Sequence, residues 1–414
     1  MQIEIVTIGD ELLLGFTIDT NAAHLARELA AIGVQITRRT TVGDDAQAIA
    51  AAVRDGLDRA GAVITTGGLG PTSDDMTKAS IAALFGREMV LDQEHLAWME
   101  ERWRTRFKRA LPATNRMQAM VPQGATKLQN NHGSAPGIWL EDERGRWVAM
   151  LPGVPREMRG MLADALLPLL RQRVPAERVV RSRTLRTTGV PESLLAERIE
   201  AIPGGVPGVT LAYLPNVDGV DLRLTVRDRA PEEADRTLAD AAGRLRGTLG
   251  PDIYGEGTDD LAALVIDMLR ERRMTIAVAE SCTGGMLGAR ITRVPGSSDV
   301  FLGGMISYAN ALKVSLLGVD EAVLQAHGAV SEPVVRAMAS GARARTGADI
   351  GVGITGIAGP GGGTPGKPVG LVWLGVDVGG QVHVAEMHAW GDREEVRQRA
   401  AQAALNLVRR TLQA

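Results

Sequence analysis

The stretch from Ala62 to Phe85 leaves few folds open to this chain. Ala62-Val63-Ile64 is a short apolar run that reads as a buried strand, and Ala79-Ser80-Ile81-Ala82-Ala83-Leu84-Phe85 reads as a helix. Between them lies Thr65-Thr66-Gly67-Gly68-Leu69-Gly70-Pro71-Thr72-Ser73-Asp74-Asp75-Met76-Thr77-Lys78. Gly67, Gly68 and Gly70 let backbone approach a ligand closely, and Asp74 and Asp75 stand where the helix should begin. A strand, a glycine turn and a helix N-terminus present free N–H groups and the positive end of the helix dipole to an anion. Two adjacent carboxylates repel a bare phosphate, and a divalent cation between them and the phosphate is the simplest resolution. A purely structural alternative makes Thr72 and Asp75 a capping box, with both aspartates suiting the helix end. Spacing alone does not separate the two.

The flanking sequence repeats the same grammar. Ile3 to Ile8 reads as a first strand, followed by a turn at Gly9-Asp10-Glu11-Leu12. Asn21 is placed to cap a helix with Leu25, Leu29 and Ile32 on one face, and Gly33 ends it. Val34 and Ile36 open another strand. Asp44 or Asp45 caps a helix carrying Ile49, Val53 and Leu57. Strands alternating with amphipathic helices predict an α/β fold with a parallel sheet, helices on both faces and ligands at the carboxyl ends of the strands. A later strand, Trp147 to Leu151, leads into Leu151-Pro152-Gly153-Val154-Pro155-Arg156-Glu157-Met158, a second wall for the same cleft. Trp98, Trp103 and Phe107 lie among Arg102, Arg104, Arg106, Lys108 and Arg109, which reads as a basic helix lying over the domain rather than a nucleic-acid stacking surface.

From about Arg178 the texture changes to strand, helix, two strands meeting over Pro215–Gly219, and helix: a small two-layer α/β module. Gly205-Val206-Pro207-Gly208 has GxxG spacing but stands between a helix and a strand, so it reads as a turn. Pro251 to Thr258 reads as a linker, and Thr258 or Asp259 as the cap of the next helix. Then Thr275 to Ala279 forms a strand followed at once by Glu280-Ser281-Cys282-Thr283-Gly284-Gly285 and a helix over Met286–Thr292. This second strand–glycine–helix turn carries nucleophiles. Ser281 beside helix-terminal amides has both an attacking oxygen and an oxyanion site. Tyr308, at a strand end, or Lys313, in the next helical turn, is a candidate base, and a lysine serves only if burial or a nearby cation depresses its pKa. Cys282 is a rival nucleophile, and Ser281 and Thr283 as mere helix caps are the structural alternative. Gly361 to Lys367 has P-loop spacing, but Pro368 stands where Ser or Thr is needed and no helix follows, so it reads as a chance match in a flexible loop.

With 414 residues, two or three domains are expected. The single cysteine, Cys282, excludes an intrachain disulfide and a multi-cysteine zinc site. A net charge of −3 disfavours nucleic acid as a main partner. The N-terminus lacks the features of a signal peptide and no apolar run is long enough to span a bilayer, so a cytoplasmic protein with no membrane association is expected.

Four motifs together resemble full-length members of the CinA family: Gly9-Asp10-Glu11-Leu12-Leu13, Thr66 to Asp75, Ala279 to Gly285, and Gly356-Ile357-Ala358-Gly359-Pro360. The resemblance implies three α/β domains. Residues 1–170 would form a molybdopterin-binding-like parallel or mixed sheet with flanking helices, 176–250 a small KH-like α/β middle domain, and 258–414 an α/β nicotinamide-nucleotide amidase domain. It implies a homodimer acting on small-molecule nucleotides: metal-dependent hydrolysis of ADP-ribose to AMP and ribose 5-phosphate in the first domain, and deamidation of nicotinamide mononucleotide in the last. It selects Ser281 over Cys282 as nucleophile, with Tyr308 and Lys313 as its partners and Thr283, Gly284 and Gly285 as substrate or oxyanion contacts. The pyridinium charge of the substrate would help keep Lys313 neutral. In the first domain it points to Asp74, Asp75 and Asp10 for a divalent metal (Mg²⁺ or similar), with catalytic roles for Asp74 and Asp75. Glu11, Gly67, Gly68, Gly70, Thr72 and Lys78 would contact substrate. No cofactor is expected in the last domain. Two other functions suit the same resemblance: a module handling the molybdenum cofactor, and a non-catalytic competence or DNA-damage accessory protein.

Overall fold

The computed structural model describes residues 1–72, 74–174 and 179–414; Ser73 of the glycine loop, Arg178 and the expected start of the middle domain at residue 176 lie outside them. The chain divides into two compact units, 1–181 with 226–236, and 182–225 with 237–414.

The first unit runs β1 (Gln2–Ile8), α1 (Asp10–Leu13), α2 (Thr20–Ala31), β2 (Gln35–Val42), α3 (Ala46–Ala60), β3 (Ala62–Thr66), α4 (Thr77–Leu84), β4 (Met89–Leu91), α5 (Gln93–Phe107), β5 (Met120–Pro122), β6 (Thr126–Leu128), β7 (Gly137–Glu141), β8 (Trp147–Leu151), α6 (Pro155–Met161) and α7 (Leu167–Arg173). Its six-stranded sheet has the order β2-β1-β3-β8-β7-β6. The first four strands are parallel; β7 and β6 are antiparallel additions. Period-two alternation sends Ile3, Ile5 and Ile64 to a core shared with Leu25 and Leu29 of α2, and Val6, Ile8 and Val63 to a second core with Ile49, Val53 and Leu57 of α3. Burial on both faces explains why β3 and β8 are continuous apolar runs. From β1 the chain crosses to β2 on one side and then to β3 on the other, so a crevice opens at the carboxyl ends of β1 and β3.

Two local expectations are corrected here. Asp19, not Asn21, caps α2, accepting from the Ala22 amide; the Asn21 side chain instead donates to Thr66 Oγ1 and to the Gly153 carbonyl at 2.7 Å. The Thr72–Asp75 capping box does not form, because the N-cap of α4 is Met76, four residues beyond Thr72, with no side-chain cap.

The middle module comprises β9 (Val179–Thr187), α8 (Glu192–Glu200), β10 (Thr210–Pro215), β11 (Val220–Arg229), α9 (Pro231–Leu249) and β12 (Ile253–Glu256). Its sheet has the order β10-β11-β9-β12. The expected linker at Pro251–Thr258 thus contains a strand: β12 pairs antiparallel with β9, and burial of Ile253 and Tyr254 draws this Pro/Gly-rich segment into the fold.

The remaining elements are α10 (Leu261–Arg272), β13 (Ile276–Glu280), α11 (Met286–Thr292), β14 (Phe301–Ile306), α12 (Asn310–Leu317), α13 (Glu321–His327), α14 (Glu332–Thr346), β15 (Ile350–Gly356), β16 (Leu371–Val378), β17 (Gln381–His388) and α15 (Arg393–Gln413). Asp260, rather than Thr258 or Asp259, caps α10. The sheet order is β14-β13-β15-β16-β17, with β14, β13 and β15 parallel. Gly351 and Gly353 of β15 let α14 pack unusually close: a Cβ on Gly351 would lie 2.0 Å from the Ala339 carbonyl oxygen. Again the chain leaves the first strand to one side and returns on the other, placing a crevice between β13 and β15. No described helix is long and apolar enough to cross a membrane.

Candidate functional sites at two sheet crevices

In the C-terminal domain, Ser281 follows β13 and Lys313 lies on the first turn of α12. Their side chains meet: Lys313 Nζ is 3.0 Å from Ser281 Oγ. Nζ also reaches the Ser307 carbonyl at 2.7 Å and the Tyr308 carbonyl at 3.2 Å. Lys313 is only 1% exposed, and burial pushes its pKa below the usual lysine value. Both residues line a cavity of about 270 Å³ with Cys282, Tyr308, Asn310 and Arg393. Cys282 is buried, and burial pushes its thiol up to about 12, so it is a poor source of thiolate. The Tyr308 hydroxyl accepts from Arg393 at 2.9 Å; the same guanidinium donates to the Gly359 carbonyl.

The glycine turn after Ser281 does something other than expected. Gly284 N–H donates to the Ser281 carbonyl. The amides of Gly285, Leu287 and Gly288 all donate to the buried carboxylate of Glu280. These helix-terminal donors therefore face inward and are occupied, whereas Thr283 is fully buried with its carbonyl held by Arg397. Gly359, Gly361 and Gly362 line the same cavity as Ser281. Sequence reasoning gave no role to Glu280, although it directly precedes Ser281, nor to Asn310 and Arg393, which lie far from Ser281 in the chain. It also set aside the 361–367 glycine stretch, although three motifs end at this one cavity.

In the first unit, Asp10 and Asp44 stand at the carboxyl ends of β1 and β2 and exchange hydrogen bonds: Asp10 N–H to Asp44 Oδ2 at 3.0 Å, and Asp44 N–H to Asp10 Oδ1 at 3.3 Å. Each follows a glycine, and a Cβ on Gly43 would lie 2.3 Å from Asp10 Oδ1. Burial, with the charges of Asp10, Glu11 and Asp74, raises the Asp44 pKa. Asp44 is a residue the sequence offered only as a cap; its signal was the Gly–Asp pair repeated after two neighbouring strands. Glu11 packs its carboxylate over Gly9. Asp75 folds back into the glycine loop: Oδ1 accepts from Gly70 N–H at 2.7 Å, and Oδ2 accepts from Thr72 N–H at 2.8 Å and from the Thr72 hydroxyl. Gly67 and Gly68 have positive φ, and a Cβ on either would meet Ile8 O or Thr77 Oγ1 at 2.1 Å. Lys78 is buried, its amine donating to the Met117 and Gln118 carbonyls, and burial pushes its pKa down to about 8.

The metal implied by the resemblance finds a suitable donor class here. Carboxylate oxygens suit a hard divalent cation; the Asp44 pKa is raised chiefly by burial, with negative crowding adding to it. Asp10, Asp44 and Asp74 supply that crowding, while Asp75 is tied to the loop. Among the described residues no three His, Cys, Asp or Glu side chains already converge as a preformed metal cluster.

Three family models match successive parts of the chain. Residues 4–172 match the family model "Probable molybdopterin binding domain", 182–255 the "Damage-inducible protein CinA KH domain", and 258–412 the "CinA C-terminal domain". A CinA-like protein of Gemmatimonas aurantiaca is 64% identical over 99% of this chain and 96% of its own length. A putative competence-damage inducible protein of Moorella thermoacetica is 44% identical over 100% of this chain and 99% of its own. A solved competence/damage inducible protein from Agrobacterium tumefaciens is 38% identical, covers 37% of this chain and 94% of its own, and superposes with a TM-score of 0.36. The order of the three domain matches and the end-to-end identity to the Gemmatimonas and Moorella relatives place the chain in the CinA family.

Proposed function

We propose that the C-terminal domain is a serine–lysine amidase that deamidates nicotinamide mononucleotide to nicotinate mononucleotide and ammonia. The observation that carries this reading is the buried Ser281–Lys313 pair. A neutral amine has two N–H donors and one lone pair. The carbonyls of Ser307 and Tyr308 take the donors, which leaves the lone pair for the Ser281 hydroxyl. Lys313 then accepts the hydroxyl proton as Ser281 Oγ bonds to the carboxamide carbon. It returns that proton to the departing nitrogen, which leaves as ammonia. Water, giving its proton to the same amine, attacks the acyl-serine ester; the C–Oγ bond breaks, the amine returns the proton to Ser281 Oγ, and the carboxylate is released. Tyr308 contributes its carbonyl to this arrangement and its ring to the cavity wall. Purified protein given nicotinamide mononucleotide should release ammonia, and Ser281→Ala should not; full release by Ser281→Ala with loss in Cys282→Ala would replace the nucleophile.

For the first unit we propose a second activity, hydrolysis of the pyrophosphate of ADP-ribose to give AMP and ribose 5-phosphate. Its support is the crevice that joins a positive-φ glycine loop to crowded carboxylates. Asp10, Asp44 and Asp74 would hold a divalent cation, which when bound offsets phosphate charge. The loop, fixed by Asp75, would set the pyrophosphate beside them. Magnesium-dependent AMP formation tests this, whereas tight pterin binding without turnover would favour a molybdenum-cofactor module. A cytoplasmic homodimer belongs to the same proposal. Exposed Leu302 and Ile306 on edge strand β14, with Leu312 and Leu316 on α12, offer a face for a second copy, and light scattering would measure it.

A further inference from the structure

The helix that follows Ser281 is held at both ends, and only one end belongs to the catalytic turn. α11 has seven residues, about two turns, too few for a helix to keep its shape by backbone bonding alone. Leu287 and Ile291, one turn apart, are its buried side chains. Such apolar contacts are non-directional: they set which face meets the core but not where the helix lies along its axis. Between Ser281 and α11 stand Gly284 and Gly285, both with positive φ, a link that tolerates many backbone geometries. The covalent chain by itself therefore leaves the nucleophile loosely placed.

At the inner end the bonds are made by the buried Glu280. Its carboxylate accepts from the Gly285, Leu287 and Gly288 amides at distances between 2.8 and 3.1 Å. Its own carbonyl accepts from Ser307 N–H at 2.8 Å, and the Ser307 carbonyl accepts from Lys313 Nζ at 2.7 Å. One residue thus ties α11 to the strand end that carries Ser281 and, through Ser307, to the amine facing it. A displacement of α11 is passed to Ser281 through these bonds.

At the outer end Arg290, in the last turn of α11, has a side chain only 12% exposed. One prong of its guanidinium donates to Asp218 Oδ1 at 3.2 Å and the other to Gln402 Oε1 at 2.7 Å. Gln402 of α15 is buried and donates to Thr188 Oγ1, and that hydroxyl donates to the Asp218 carbonyl at 2.8 Å, so the four residues close a ring. Thr188 and Asp218 come from the middle module. Asp218 stands in the turn between β10 and β11, where Asn216 Oδ1 accepts from the Asp218 and Gly219 amides. A guanidinium held in two directions by charge-assisted bonds is both strongly and specifically placed. Arg290 lies five residues past Gly285, roughly 8 Å along the helix axis.

We propose that Asp218 and Arg290 are positioning residues for Ser281: through this ring the middle module holds α11 where Glu280 can set the Ser281–Lys313 contact. The proposal rests on the reading of Ser281 as nucleophile, not on which amide it attacks. A misplacement of about 1 Å at a reacting atom costs up to roughly 100-fold in rate, so a partial loosening of the helix should cost about tenfold.

Two readouts on the full chain test it: ammonia release from nicotinamide mononucleotide, and the rate at which phenylmethylsulfonyl fluoride labels Ser281, followed by intact mass and peptide mapping. In labelling, Ser281 Oγ bonds to sulfur, fluoride leaves, and Lys313 takes the hydroxyl proton. Arg290→Met and Asp218→Ala, the latter at a partly exposed turn that tolerates truncation, should each lower kcat and the labelling rate by about tenfold, with KM and the apparent pKa of the pH profile unchanged. The double variant should lose no more than Arg290→Met alone, since both changes break one link. Arg246→Met, which removes an ion pair with Glu256 elsewhere in the module, should change neither readout. Wild-type rates in both single variants overturn the proposal, as does an equal loss in Arg246→Met or a multiplied loss in the double variant. Labelling that depends on Arg290 and Asp218 in a chain that releases no ammonia keeps the positioning role and removes the nicotinamide mononucleotide reading. Ammonia release that ignores both variants does the reverse, and a wild type that is neither labelled nor active removes both.

Discussion

The two crevices are built on one plan and equipped in opposite ways. Each lies where a parallel sheet reverses its winding, and each begins with a strand, a glycine turn and a helix. At each, a carboxylate close in sequence collects the backbone amides that an anion would otherwise be expected to find: Asp75 those of Gly70 and Thr72, Glu280 those of Gly285, Leu287 and Gly288. The chemistry then departs. The first crevice leaves Asp10 and Asp74 exposed at its rim. The second buries a single amine against a hydroxyl and lowers its pKa by desolvation alone. A glycine turn before a helix is thus not by itself an anion site. What it binds depends on which carboxylate has reached its amides first.

The sharpest way to break this contrast is to remove the buried pair. Ser281→Ala and Lys313→Met should each lower ammonia release by about 10³-fold or more while leaving ADP-ribose hydrolysis intact. Equal loss of both reactions would mean that the two crevices are not independent. Next, Asp75→Asn should cost ADP-ribose hydrolysis about 100-fold by loosening the loop, without shifting the magnesium midpoint. Asp44→Asn should do the converse, moving that midpoint by roughly 10-fold. If both variants shift the midpoint alike, Asp75 holds metal rather than the loop.

The pH behaviour of the two buried lysines gives smaller effects of known sign. For Lys313 the active form is the neutral amine, so kcat/KM for deamidation should rise with pH through an apparent pKa below the ordinary 10.5 and fall as the amine protonates at lower pH. A rise centred at or above 10.5 would mean that burial does not prepare the base. Lys78 carries a folded pKa of about 8 against 10.5 unfolded. Between those values the unfolded chain binds the extra proton, so stability should increase with pH across that window, by about 1–3 kcal/mol in all, and be lowest below pH 8. Lys78→Met should flatten that slope in denaturant melts. The smallest expected change is in Cys282→Ala, which should leave ammonia release within about twofold, since its thiol is pushed up to about 12.

Much of the architecture was legible because periodicity is local. The alternation of Ile3, Ile5 and Ile64 against Val6, Ile8 and Val63, and the helical spacing of Ile49, Val53 and Leu57, follow from burial on two faces and survive in the fold. Cap positions were less legible. Asn21 has the chemistry of a cap but is drawn off by Thr66 and Gly153, over a hundred residues away for the latter. The Ser281–Lys313 contact spans 32 residues and depends on where β14 delivers the next helix, which spacing cannot encode. Asp44 was hidden because its partner, Asp10, comes from the adjacent strand. Glu280 was hidden because a strand-end glutamate usually faces water, and here it turns under the helix it precedes.

The strand at Ile253–Glu256 has a practical consequence. Its composition, Pro-Asp-Ile-Tyr-Gly-Glu-Gly, is that of a segment a protease would be expected to nick between domains. Yet the Pro251 carbonyl holds the buried Arg409 guanidinium of α15, Asp252 binds Arg198 and Arg410, and the next residues are laddered to β9. Digestion should therefore spare this segment under native conditions. A C-terminal fragment cut at residue 258 would lose the carbonyl that Arg409 depends on, so excised C-terminal domains should begin no later than Gly250.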